Sequence, residues 1–197
     1  FTFHWYAELF RDGEALKALK NSLILAVLSS LLATVLGTLC AFAINRAKRK
    51  WFSRAVETVT NIPMMNPDIV TGVSLMLLFV FVGRLVGAAN SLSFITLLIA
   101  HITFNLPYVI LNVLPKLNQT DSHLVEAAQD LGSTPTEAFF RVILPAIMPG
   151  VTSGLLMAFT LSLDDFVISY YTTGSSFQTL PLLIFSMTKK AVKPDMY

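Results

Sequence analysis

Asn21 to Ile44 reads NSLILAVLSSLLATVLGTLCAFAI, 24 residues without one charged side chain. A helix needs roughly 20 mostly apolar residues to cross the hydrocarbon core of a bilayer, so this run predicts a transmembrane helix. Three further spans follow from the same reading. One runs from about Ile62 to Val82, interrupted early by Pro63, Pro67 and Asp68, and one from about Leu92 to Val113 carries His101, Asn105 and Pro107. The last runs from about Ala146 to Tyr171 and holds Asp164 and Asp165. Composition agrees: of 197 residues 54% are hydrophobic and 13% charged, and the mean hydropathy is +0.66. Such a chain is too apolar for a soluble domain, a disordered segment or a coiled coil. Its net charge of +2, with Lys and Arg dispersed, argues against nucleic acid as a partner. The expected fold class is therefore all-α, a polytopic transmembrane helical bundle forming a single domain over residues 1–197, with membrane lipid as its surroundings. Gly72 with Ser74 and Ser153 with Gly154 are the small residues expected where membrane helices approach closely. Cys40, the single cysteine, has no His or carboxylate neighbour and reads as packing.

Orientation follows from the basic residues of the short loops. Arg46, Lys48, Arg49, Lys50 and Arg54 follow the first span, whereas the next loop has only Arg84. Residues 45 to 54 are expected in the cytoplasm, Phe1 to Lys20 outside, and residues 114–145 in the cytoplasm again. Lys189, Lys190 and Lys193 on the outer tail run mildly against the rule. A chain without an initiator Met that stops at Tyr197 just after its last span reads as a fragment lacking a first and a last helix.

The cytoplasmic segment LNQTDSHLVEAAQDLGSTPTEAFFRVILPAIMPG predicts two short helices with a tight break. Asp121 or Ser122 can cap the first, and Leu124, Ala127, Ala128 and Leu131 fall on one face of it. Gly132 is placed to end that helix in the left-handed conformation. Thr134 with Glu137 has the spacing of a capping box, and Pro135 stands at the first helical position, where a missing N–H costs nothing. Two alanines and a glutamate on a short cytoplasmic helix suit a groove of another protein. They suit packing on the chain's own helices equally well.

Glu126-Ala127-Ala128, three residues, Gly132, nine residues and Val142-Ile143-Leu144-Pro145 resemble the EAA loop of the membrane subunits of ABC importers, with Val142 where Ile is usual. The stretches WYAELF, MMNPDIV and LSLDDFVIS extend the likeness to the spermidine/putrescine permeases of that family. The resemblance implies the type I ABC importer permease architecture in a bacterial inner membrane, multi-pass, and a non-catalytic transport subunit. It implies three partners: an ATP-binding subunit, a second permease subunit and an extracytoplasmic substrate-binding protein. Glu126, Ala127, Ala128, Gly132 and Pro145 would couple the ATPase to the membrane helices. The chain has no G-x-x-x-x-G-K-[ST] loop to cradle phosphates, so no cofactor is expected in it, and ATP with Mg would be bound by the partner ATPase.

Ionisable groups at membrane depth mark a pathway or a paired site. Asp164 and Asp165 follow Pro149 by about 15 residues, roughly 23 Å of helix, which sets them in the outer half of the bilayer. On one helix they would point about 100° apart, one toward a pathway and one toward a neighbouring helix. Phe166, Tyr170, Tyr171 and Phe177 supply aromatic faces that attract alkyl-ammonium groups, so Asp164, Asp165 and Tyr170 are candidate substrate contacts. The competing reading pairs the aspartates with an Arg or Lys of a partner permease. Asp68, after Pro67, either caps a helix beginning near Ile69 or joins the pathway. His101 and Asn105 form a polar face one turn apart, where His101 reads as a helix-to-helix hydrogen-bonding residue rather than a metal ligand, because no second ligand sits at suitable spacing. Import of another small solute, or an ion-coupled carrier binding protons or cations at the aspartates, are the alternative functions.

Overall fold

The computed structural model describes residues 13–46, 58, 66–87, 92–121, 123–174 and 177–188. The basic loop from residue 47 to 54, the expected start of the second span at Ile62, the WYAELF stretch, Ser122 and the lysine tail lie outside the described residues. The described residues form helices α1 Gly13–Arg46, α2 Asp68–Val86, α3 Phe94–Gln119, α4 His123–Asp130, α5 Pro135–Ala138, α6 Leu144–Asp164, α7 Val167–Thr172 and α8 Leu180–Thr188. A single π-helical turn, Phe139–Ile143, joins α5 to α6. Among the described residues, four stretches are long and apolar enough to cross a membrane: Gly13–Arg46, Asp68–Val86, Phe94–Gln119 and Pro135–Asp164.

These bounds amend the expected spans. α2 begins only after Pro67, whose extended ψ of 135° is incompatible with helix at that residue. α3 continues through Pro115 to Gln119, beyond the expected end at Val113. The fourth span is not one helix to Tyr171. It stops at Asp164, and α7 starts afresh at Val167. Cys40 is exposed on the surface of α1 and takes no part in the described core, which corrects its reading as packing.

The chain divides into two compact units. One takes residues up to 29, 66 to 101 and from 160 onward. In it Ala15 and Ala18 of α1 pack on Leu183 of α8, and Asn21 Nδ2 donates to the Gln178 carbonyl at 2.9 Å. α2 lies against α7 at Gly72, where an added Cβ would come within 3.0 Å of the Tyr171 ring.

The other unit takes residues 30 to 65 and 102 to 159. Its core joins Ala33, Ala41 and Ile44 of α1 to Val109, Ile110 and Val113 of α3 and to Ile147 and Ala158 of α6. Small residues let these backbones meet. A Cβ on Gly37 would stand 2.7 Å from Val109 Cγ1, and one on Gly150 would stand 2.7 Å from the Asn112 carbonyl oxygen. Asn45 to Asn118 at 2.8 Å and Ser153 to Asn112 at 2.9 Å are hydrogen bonds between the same helices. The large apolar residues left outward, such as Leu31, Val35, Leu77, Phe81 and Leu156, are those a bilayer would cover.

Because the contact of Gly150 is with backbone, it cannot yield by a rotamer change. Gly150→Val is expected to lower the thermal midpoint of the detergent-solubilised protein, at a cost of about 1–3 kcal/mol of overpacking. Gly13→Ala, whose Cβ meets nothing within 4 Å, serves as the neutral control. Equal midpoints for the two variants would contradict the α3–α6 packing.

Candidate functional site

The interruption between α6 and α7 separates the two neighbouring aspartates. Asp164 ends α6 and is exposed, whereas the Asp165 side chain is only 8% exposed. Breaking a helix leaves backbone N–H groups without partners. Asp165 answers two of them: its carboxylate accepts from Ser169 N at 2.8 Å and from Ile168 N at 3.3 Å. Its Oδ2 also lies 3.6 Å from Nε2 of His101 on α3. His101 is fully buried, and its two ring nitrogens hydrogen-bond Ser162 Oγ at 2.7 Å and Ser169 Oγ at 3.1 Å. The histidine therefore acts between helices, as its position on a span suggested.

Asp164 faces the opposite situation, with no hydrogen bond or ion pair among the described residues. It stands at the wall of a cavity of about 580 Å³ formed by Leu19, Leu23, Phe166, Ile184 and Phe185 among others. The rings of Phe166 and Phe185 are 4.5 Å apart, with Tyr170 5.6 Å from Phe166. One carboxylate beside an apolar, aromatic hollow suits a group that is cationic at its end and aliphatic along its length. Of the expected aromatic residues, Phe166 lines the cavity, and Tyr170 packs on Phe166 without lining it. Tyr171 packs at Gly72, and Phe177 stacks on Phe94 at 4.8 Å. Asp68 is the exposed first residue of α2, and no side chain caps that helix. Its expected capping role is corrected, since the helix begins at Asp68 itself, one residue early for its side chain to reach the orphan N–H groups. Asn105, next along α3, is fully buried, and its amide has no hydrogen-bond partner among the described residues. Phe185, Ser162 and Ser169 were missed from sequence; the serines look like ordinary small residues of a span until the fold brings them to His101.

The α4–α5 segment is built as its residues dictate. Asp121 Oδ1 accepts from His123 N at 3.0 Å. Gly132, at φ +89°, closes α4, with Ser133 N bonded to the Ala128 carbonyl at 3.0 Å and Gly132 N to Gln129 at 2.8 Å. Thr134 and Glu137 form the full capping box: Thr134 N donates to Glu137 Oε2 at 3.0 Å, and Glu137 N to Thr134 Oγ1 at 3.3 Å. These bonds hold the Glu137 carboxyl below the usual carboxylate range. The face of α4 that carries Leu124, Ala127, Ala128 and Leu131 is mostly open. Only Ala128 is buried, alongside a half-buried Val125, while Leu124 is 43% and Leu131 89% exposed and Ala127 is exposed. The helix turns Val125 inward because that residue packs on the core of α1, α3 and α6. Glu126, Gly132 and Pro145 are exposed as well, and Glu126 borders a groove of about 340 Å³ with Arg46 and Asp121. Phe139, in the π turn, meets the Phe42 ring edge-on at 4.8 Å.

α4 thus presents an open face, followed by a capped turn that leads into the apolar helix α6. Residues 33–189 match the binding-protein-dependent transport system inner membrane component family. The chain belongs to that family. The permease is 42% identical over 196 residues to the spermidine/putrescine transport system permease protein PotC of Haemophilus influenzae, covering 100% of this chain and 74% of that one. It is 40% identical over 192 residues to the putrescine transport system permease protein PotI of Escherichia coli, covering 98% and 68%. A crystal structure of a bacterial ABC transporter involved in importing the acidic polysaccharide alginate superposes with a TM-score of 0.78 at 17% identity, over 100% of this chain and 75% of that one. The permease is thus an all-α, multi-pass transport subunit with the ABC importer permease fold.

His123 Nδ1 lies 3.1 Å from Glu126 Oε2, and that hydrogen bond, helped by the charge of Asp121, raises the imidazole pKa above its ordinary value. A raised pKa means that the contact is complete at low pH and is lost as pH climbs through the folded value. In Glu126→Gln the His123 midpoint, followed by NMR of the ring proton, is expected to fall toward that of a free histidine. An unmoved midpoint would show that the pair does not form.

Proposed function

We propose that the permease forms the membrane path of an ATP-driven importer of polyamines, spermidine or putrescine, in a bacterial inner membrane. It would pair with a second permease subunit and receive substrate from an extracytoplasmic binding protein. The observation that carries the substrate class is Asp164, exposed at an apolar and aromatic cavity. Its carboxylate neutralises an ammonium group, Phe166 and Phe185 offer ring faces with Tyr170 packed beside them, and the aliphatic spacer of a polyamine matches the leucine-lined wall. The names of the relatives support the same substrate. Selection between spermidine and putrescine is left to the binding protein.

In the same proposal, energy enters through α4 and α5. Leu124, Ala127 and Leu131 form the exposed apolar contact for an ATP-binding subunit, with Glu126 and Gly132 beside them. ATP and Mg are held by that partner. Pro145 lies in the first turn of α6, so movement of the docked loop is delivered directly to the helix that ends at Asp164.

Two outcomes test this reading in proteoliposomes carrying the full complex with the membrane potential collapsed. Asp164→Asn is expected to lower spermidine uptake about 10- to 100-fold, the factor carried by one charge-assisted contact. Asp165→Asn is expected to lower thermal stability as well, because that carboxylate caps α7. Wild-type uptake by Asp164→Asn would remove the carboxylate from the path, and loss of wild-type uptake on collapsing the potential would favour an ion-coupled carrier. Gly132→Asp and Gly132→Asn test docking. A Cβ at Gly132 meets nothing within 4 Å inside the subunit, and Asn tolerates a positive φ. Both variants are expected to insert normally and lose ATP-driven uptake, and normal uptake by Gly132→Asn would overturn the docking role.

A further inference from the structure

Five polar side chains form a continuous buried chain in the unit that contains the helix break. Ser29 Oγ lies 2.8 Å from Ser162 Oγ, which lies 2.7 Å from His101 Nδ1; on the other side of the ring, Nε2 lies 3.1 Å from Ser169 Oγ and 3.6 Å from Asp165 Oδ2. Ser29, His101, Ser162 and Ser169 are each at most 2% exposed. With the Ser29 hydroxyl proton turned to Ser162 rather than to the Ala26 carbonyl 3.3 Å away, one assignment satisfies the chain in a single direction. Ser29 donates to Ser162, Ser162 donates to Nδ1, and Nε2–H points to Ser169 and the Asp165 carboxylate.

Position matters more than number. Ser162 belongs to the last turn of α6, whereas Asp165 and Ser169 lie beyond its end. The imidazole thus touches both sides of the interruption from a third helix. Without it, Asp165 would be a buried carboxylate held only by two N–H groups, and the unbroken helix that removes those orphan groups would become the cheaper arrangement. In that arrangement Phe166, now at the cavity wall, would be carried elsewhere.

We propose that His101 is a positioning residue for transport: by bridging Ser162 to Ser169 and Asp165 it holds the α6–α7 break, and so keeps Asp164 open to the cavity beside Phe166. The proposal rests on Asp164 being the substrate contact, and its test separates the two ideas.

The test uses the full complex in proteoliposomes, with Cys40→Ala throughout and Asp164→Cys as a reporter of access to the cavity. His101→Leu removes both hydrogen bonds at similar volume, and His101→Gln keeps a donor toward Asp165 and Ser169. His101→Leu is expected to slow reaction of the cysteine at 164 with a cationic methanethiosulfonate by roughly tenfold, the factor of about two neutral hydrogen bonds. His101→Gln should restore most of the rate. In the chain retaining Asp164, His101→Leu should lower the maximal uptake rate while leaving the KM for the loaded binding protein unchanged. A thiol rate unaffected by His101→Leu, or equal loss in the Leu and Gln variants, overturns the proposal. Spermidine uptake by Asp164→Asn in a chain with His101 intact reports separately on Asp164. If that variant takes up spermidine at the wild-type rate but His101→Leu still slows the thiol reaction, the substrate assignment fails and the positioning role stands.

Discussion

Inside hydrocarbon a backbone N–H has no water to fall back on, and each interruption of a helix must be answered by a side chain. The interruption between Asp164 and Val167 is where this requirement governs the molecule. Asp165 supplies acceptors for Ile168 N and Ser169 N, and bringing its charge into the interior then demands a partner. His101 meets that demand. Once Asp165 is committed, its twin in sequence is free, and Asp164 faces the cavity. A pair that looks redundant is divided by one break into a residue that builds the site and a residue the site can use.

The α4–α5 segment obeys the same accounting under water. Its helices are too short to stand alone, so each end is closed by a local device: Asp121 before α4, the left-handed Gly132 after it, and the Thr134–Glu137 box opening α5. Only Val125 and Ala128 anchor α4 inward. The result is a stiff element with an exposed apolar face, which a flexible loop could not present at low entropic cost. The π turn continues into α6 without a gap, and its Phe139 keys into Phe42, so force on the loop has a packed route toward the bilayer.

What the residues disclosed before any fold was known was local. Caps and the capping box depend on neighbours within about four positions and a span on one continuous apolar run, and they were legible in Gly132, in Thr134 with Glu137 and in Asn21 to Ile44. The breaks were harder. Pro67 announces the start of α2 because proline changes the backbone directly, yet nothing in SLDDFVIS announces that α6 stops at Asp164. That stop depends on His101, 64 positions before Asp165. The face of α4 was left open between a partner's groove and the chain's own helices, because a short amphipathic helix does not disclose what covers it. The chain's own core takes Val125 and leaves Leu124 and Leu131 exposed.

The alginate importer sharpens where specificity resides. A TM-score of 0.78 at 17% identity shows that one backbone plan accommodates largely different side chains. Fold alone therefore cannot select the solute. On the proposed reading the selective element is carried by side chains that the shared backbone leaves variable, and Asp164 beside Phe166 and Phe185 is such a set. On the proposed reading, the fixed part of the design is the break that presents position 164, and the adjustable part is the chemistry placed there.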